Sequence, residues 1–312
     1  MSSTSLSRRE LMRRLGGAAL ALGMSPGADA AQTGRPPRRI RWAVGWLLWR
    51  DYRPRKLSLA EALQDLKDVG ADGIEFTPRP GELDSAGLTI ASVKRLLGEA
   101  GLVVSAHYLS GPFYHPAKKT EILAQAQEKI DSLRAFGARN MVIGPPAAPA
   151  GVSRMEAIRS MATVLTELGR HAHSQGIVIG IHPHLNTVIE TADETDAILK
   201  QTDPKYVGLA LDTGHCHLAG GDVVSVVKKH GARLNYLHFK DAVRPFTRPD
   251  FFPNIRELGK GEVDFPGVMR VLKELGYQGW INVEQDFTAM TPGESCRTSM
   301  RYVRDVLGKI YS

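Results

Sequence analysis

From residue 40 onward the chain repeats one unit: a short apolar run followed by a longer amphipathic stretch. The apolar runs fall at 40–47, 73–76, 102–106, 140–143, 177–182, 207–211, 234–238 and 280–284. Each is short, and most are rich in β-branched or aromatic residues, the pattern of a strand buried on both faces. The stretches between them carry helix signals. Ser58 with Glu61 three residues on forms a capping box and Gly70 closes that helix, while Thr89 opens the next. Eight such units in about 270 residues fit a single (β/α)8 barrel better than an open doubly wound sheet. No GxGxxG follows a strand, which argues against a dinucleotide fold.

The region before residue 40 reads as an address rather than a fold. Arg8 and Arg9 precede the weakly apolar run LGGAALALGM, and Ala28-Asp29-Ala30 supplies a cleavage site. We expect a twin-arginine signal peptide over 1–30, a flexible leader over 31–39 and a catalytic barrel over 40–312. The apolar run is about half the ~20 residues a membrane span needs, so no anchor is expected after cleavage, and the mature protein is expected in the periplasm or outside the cell. The formal charge of +7 is concentrated here: four arginines stand against Glu10 and Asp29 before residue 31, and Arg35, Arg38 and Arg39 follow. A body left so near neutrality gives no indication of a nucleic-acid partner. Cys216 and Cys296 are too few for a disulfide framework and are expected as free thiols.

In a (β/α)8 barrel the chemistry gathers at the carboxyl ends of the strands. Those positions hold Glu75, His107, His182 and His184, Asp212, His238 and Glu284. An unpaired charge buried there costs several kcal/mol, and a bound metal removes that cost. The alternatives are a turn cap for Asp212, an arginine partner for Glu284 and a satisfied core imidazole for His238. Glu75 reads as a substrate carboxylate or a support for the site, against a salt bridge to Arg79. His107 is expected to touch substrate, and Trp42 and Trp46 to pack in the core. Thr213 and Gly214 are expected to turn the chain so that His215 enters the pocket, with His217 at the surface. Lys240 lies two residues beyond His238, so strand alternation aims both into the barrel mouth.

LDTGH at 211–215, LHFKD at 237–241, ELGKGEVDF at 257–265 and GYQGWINVEQD at 276–286 resemble the xylose isomerase-like TIM-barrel superfamily of sugar isomerases and epimerases. IHPHLNTVIET and GWINVEQD are most similar to its inosose dehydratases. The resemblance covers residues 40–310. It implies a divalent metal on Asp212, His238 and Glu284. Where the epimerases carry a fourth, glutamate ligand this chain has His182, and His182 and His184 both stand as candidates. Two carboxylates and two imidazoles suit Mn²⁺, Co²⁺, Fe²⁺ or Zn²⁺ better than Mg²⁺.

Such an ion acts as a Lewis acid on the enediolate formed when a proton α to a carbonyl leaves. The expected function is a metal-dependent lyase or isomerase on a keto-sugar, keto-glycoside or inosose, a small carbohydrate or cyclitol substrate. Lys240, Glu284 and His215 are the candidate proton carriers, and Glu75, His107 and His184 the candidate substrate contacts. Lys240 is expected to have a lowered pKa beside the metal. A metal-dependent hydrolase of the same fold and a carbohydrate-binding barrel with a structural metal are the competing readings. Assembly into a homo-oligomer is left open by the sequence.

Overall fold

The computed structural model describes residues 40–53, 57–79 and 81–311. The expected signal peptide and leader lie outside these residues. Eight parallel strands close into a barrel: β1 (Arg41–Gly45), β2 (Gly73–Glu75), β3 (Val103–Ser110), β4 (Asn140–Gly144), β5 (Val178–Ile181), β6 (Val207–Asp212), β7 (Leu234–Phe239) and β10 (Trp280–Val283). The last of these pairs with β1 and closes the ring. Between β7 and β10 the chain makes an excursion in which β8 (Asp241–Ala242) and β9 (Ile255–Arg256) form a small antiparallel ladder.

Helices α1 (Leu59–Asp68), α2 (Ile90–Ala100), α3 (Lys119–Phe136), α4 (Arg154–His173) and α5 (Ala192–Gln201) follow β1 to β5. The crossover after β6 holds two, the short α6 (Thr213–Leu218) and α7 (Val223–His230). Then α8 (Phe265–Glu274) leads into β10, and α9 (Pro292–Tyr302) follows it. The Ser58/Glu61 capping box is present, and Thr89, Ser153, Thr191 and Thr291 cap their helices in the same reciprocal way. None of the described helices is long and apolar enough to cross a membrane. Cys216 and Cys296 are both free and buried, as expected.

The outward faces of the strands join the helices in one large apolar core. The lumen is filled by a smaller cluster, Ala43, Ala106, Val142, Ala210, Tyr236 and Trp280, contributed by six strands. Trp42 is core, edge-on to Phe239 with ring centroids 5.6 Å apart, and Trp46 and Trp49 are also buried.

Two bulges set which residues face inward. Between β2 and β3, Ile74 pairs with Val104 but Glu75 pairs with Ala106, so Ser105 is the extra residue. Ser105 reaches the Tyr236 hydroxyl at 2.8 Å and Ala106 joins the lumen cluster, so two successive residues face the interior. Between β6 and β7 the register jumps from Leu209–Leu234 to Ala210–Tyr236, making Asn235 the extra residue. One inserted residue transfers every later side chain to the opposite face.

Candidate active site

Above the lumen cluster, at the carboxyl ends of the strands, the interior positions become polar. His182 follows β5, Asp212 ends β6, His238 lies in β7 and Glu284 follows β10. All four are buried, and each offers a ligand atom within 4.8 Å of the other three. Nδ1 of His182 has no hydrogen-bond partner among the described residues, Nδ1 of His238 is paired with Oε2 of Glu284, and Oδ2 of Asp212 faces the Lys240 ammonium at 3.1 Å. Buried polar atoms are rarely left unsatisfied, and here an orphaned imidazole nitrogen and two buried carboxylates converge on one point. The donor set of two carboxylates and two imidazoles therefore fits a borderline divalent cation. His184 is not in this set. It sits higher, half-buried, with its ring 5.8 Å from His182 and 3.7 Å from His215, and Nδ1 at 2.8 Å from the Leu185 carbonyl. With His182 and His215 it makes a second, smaller cluster.

Glu75 supports this centre from across the barrel. Its Oε2 accepts from Nε2 of His238 at 2.7 Å, which leaves Nδ1 of His238 as the nitrogen available to an ion. Arg79, the alternative partner, instead pairs with Asp51 at 2.6 Å. Burial alone would lower the His238 pKa, but the carboxylates of Glu284 and Glu75 outweigh it and hold it well above the usual imidazole range. Burial would raise Glu284, yet His238 and Lys240 pull it well below the usual carboxylate value. Asp212 is raised by burial, partly offset by Lys240.

Lys240 is fully buried, and its Nζ faces Asp286 Oδ2 at 2.6 Å, His215 Nε2 at 2.9 Å, Asp212 Oδ2 at 3.1 Å and Glu284 Oε1 at 3.5 Å. Burial disfavours the ammonium, but the three carboxylates more than compensate and hold its pKa well above the ordinary lysine value. The protein's own groups thus keep Lys240 charged, and the lowering expected beside a metal would have to come from a cation among the same carboxylates, which acts in the opposite sense. Gly214 makes room for it, because a Cβ there would lie 2.6 Å from Lys240 Cγ. The sharp turn expected at Thr213-Gly214 is instead the start of α6, capped by Asp212, whose Oδ1 accepts from the His215 amide at 2.8 Å. His215 does enter the pocket from that helix, and burial holds its pKa well below normal.

Two expectations about facing are overturned. His107 does not reach the pocket: the β3 bulge turns it outward, where Nδ1–H donates to the Phe76 carbonyl and Nε2 accepts from Ser132 Oγ in α3 at 2.9 Å. The residue that faces inward is Tyr108. His217 is buried rather than at the surface, with Nε2 3.2 Å from Glu262 Oε2. Asp241 is no partner of Lys240. Its carboxylate accepts from the backbone amides of Gly259 (2.9 Å), Gly261 (2.8 Å) and Val263 (3.2 Å), which fixes the loop that follows β9.

Sequence reasoning passed over Asp286 and the loop between β8 and β9. Asp286 was findable, since it stands two residues after Glu284. The loop was not, because no periodicity marks it. Its Phe251 is edge-on to His215 with ring centroids 5.0 Å apart, and its Arg248 pairs with buried Glu190. Glu190 also faces Arg154 and accepts from the Asn186 amide at 3.0 Å.

Residues 63–306 match the sequence profile described as xylose isomerase-like TIM barrel. The chain belongs to that family. It is 34% identical over 157 residues to an inosose dehydratase of Bacillus velezensis, a match covering 45% of this chain and 51% of that one. Against the rhizopine catabolism protein MocC of Rhizobium meliloti the identity is 28% over 253 residues, 73% of this chain and 74% of that one. The chain spans about half the length of the inosose dehydratases it matches. Among solved structures, IolI protein with a bound zinc atom superposes with a TM-score of 0.75 at 20% identity, covering 87% of this chain and 99% of that one. A D-allulose 3-epimerase from Methylomonas sp. in complex with D-allulose gives 0.65 at 22% identity, covering 86% and 98%. At these identities the likeness to solved structures is one of fold, the family's closed barrel.

Proposed function

We propose that this xylose isomerase-like barrel is a metal-dependent lyase or isomerase that removes a proton α to the carbonyl of a keto-sugar, keto-glycoside or inosose. The observation that carries the reading is the convergence of His182, Asp212, His238 and Glu284, all buried, with ligand atoms within 4.8 Å of one another. The similarity to inosose dehydratases supports the substrate class, and the zinc atom of the IolI structure supports a divalent cation as cofactor. Mn²⁺, Co²⁺, Fe²⁺ and Zn²⁺ all suit the donor set.

When bound, such a cation supplies Lewis-acid polarisation of a carbonyl and its neighbouring hydroxyl. The chain's own residues do the rest. His238 is held in one tautomer by Glu75. Lys240 carries a proton on Nζ beside the centre, and His215 Nε2, 2.9 Å away, accepts a hydrogen bond from it and orients the ammonium. Phe251 and the loop that carries it cover the His215 side and exclude water. Reprotonation on the other face gives epimerisation, on the neighbouring carbon isomerisation, and loss of a β-hydroxyl gives dehydration. We also propose that the twin-arginine segment at Arg8 and Arg9 directs export to the periplasm. Replacing both with lysine should leave the precursor in the cytoplasm, and an undiminished periplasmic yield counts against that route.

The decisive experiment measures metal content and then follows an inosose and a 3-keto-glucoside by NMR in D₂O. Deuterium at the α-carbon, dependent on metal and lost with a chelator, is expected. Deuterium without net change indicates epimerisation, and net loss of a hydroxyl indicates dehydration. A fully metal-loaded protein that exchanges no proton on either compound is a binding barrel with a structural metal, and the reading falls.

A further inference from the structure

The groups that crowd the metal centre come mainly from one side of the barrel. Lys240, His215, Asp286 and the ligands His182, Asp212, His238 and Glu284 belong to the arc from β5 to β10 or the segments just after it. The opposite arc, β1 to β4, sends Glu75 to His238 and Tyr108 to His182. In an eight-strand ring β3 lies four strands from β7, directly across the lumen.

Tyr108 owes its place to the bulge. With unbroken alternation from Val103, the residue facing inward at this height would be His107. The extra residue at Ser105 exchanges them, and the Tyr108 amide locks the new register by donating to Thr77 Oγ1 at 2.8 Å. The Tyr108 ring stands edge-on to His182 with centroids 5.5 Å apart. Its hydroxyl lies over Gly144 at the end of β4, where any side chain would collide with it. The residue is half-buried, and none of the described residues hydrogen-bonds that hydroxyl. Tyr236, the other lumen tyrosine, is by contrast satisfied by Ser105. A phenol that sits in a polar pocket with its packing assured by glycine, yet with a free O–H, is placed for a bound molecule.

We propose that the Tyr108 hydroxyl donates a hydrogen bond to an oxygen of the bound carbohydrate, on the face of the pocket opposite Lys240. This rests on the proposed carbohydrate-processing function and adds the residue that orients the substrate from the far side. A ring held between the two has one face toward the ammonium and one toward the phenol, so the face that meets Lys240 is fixed.

The test is Tyr108→Phe, which keeps the ring and removes only the oxygen, with Gly144→Ala as an independent way to displace it. The metal-loaded proteins are compared by calorimetric titration with an inosose and with D-allulose, and by kcat/KM on whichever compound turns over. For Tyr108→Phe, metal content and Tm are expected to stay at wild-type values. The affinity or kcat/KM is expected to fall about tenfold, the effect of one lost hydrogen bond. A monodeoxy substrate lacking the contacted hydroxyl should be handled equally by wild type and Tyr108→Phe. Equal affinity and equal kcat/KM for wild type and Tyr108→Phe overturn the proposal, as does a wild-type protein that binds neither compound. Binding that weakens in the variant while the wild type exchanges no α-proton keeps Tyr108 as a substrate contact and sinks the catalytic reading alone.

Discussion

Oε2 of Glu75 accepts a hydrogen bond from Nε2 of His238 at 2.7 Å, joining β2 to β7 across the floor of the pocket. The contact assigns a proton to Nε2 and leaves Nδ1 facing the candidate ligands His182, Asp212 and Glu284. Supporting partners of this kind set the orientation and basicity of a ligating histidine, and their loss typically weakens metal binding 10- to 100-fold. Glu75→Gln is therefore expected to lower metal affinity within about that range, read as a dissociation constant by chelator competition. Unchanged affinity would mean that Glu75 serves packing only.

His182 and His184 can be told apart by metal stoichiometry. Only His182 has an unsatisfied nitrogen within reach of Asp212, His238 and Glu284. His182→Ala should lose most bound metal after gel filtration, whereas His184→Ala should retain it. The reverse pattern would move the centre up to the cluster of His184 and His215.

Lys240 is surrounded by Asp286, Asp212, Glu284 and His215. Lys240→Met is expected to keep the fold but to lose at least about 10² in kcat, the low end of the range for removing a positioned acid or base. A rise in KM with kcat preserved would instead assign it to substrate binding.

His107 makes stability depend on pH. Burial, with a smaller contribution from Lys129, lowers its pKa from 6.5 to about 4 in the folded protein. The unfolded chain binds a proton near 6.5 that the folded one refuses, so this contribution is intact above that pH. It is lost as pH falls toward about 4, and over the full window it amounts to roughly 3 kcal/mol. Denaturant titrations of wild type and His107→Gln should show the wild type losing more stability across that window. Parallel pH profiles would contradict the assignment.

The barrel was legible because its cause is local and periodic. Eight apolar runs separated by capped amphipathic stretches admit few other closed arrangements, and all eight runs became barrel strands. The candidate ligands were legible for a related reason: charged residues at the ends of buried strands need a partner, and the carboxyl end of the barrel is where they can share one.

What the sequence could not carry was the facing of individual residues and the partners drawn from far along the chain. His107 and Tyr108 are adjacent, and only the bulge at Ser105, a matter of how β3 registers on β2, decides which of them enters the pocket. Asp241 sits beside Lys240 in sequence, but it turns to the amides of Gly259, Gly261 and Val263. Lys240 finds its closest carboxylate in Asp286, on a neighbouring strand end. The loop carrying Arg248 and Phe251 has no periodicity of its own and takes its place from Glu190 and His215. Periodicity fixes which elements form and at which end the polar groups gather. Register and long-range pairing, which exist only once the ring has closed, decide which side chains meet.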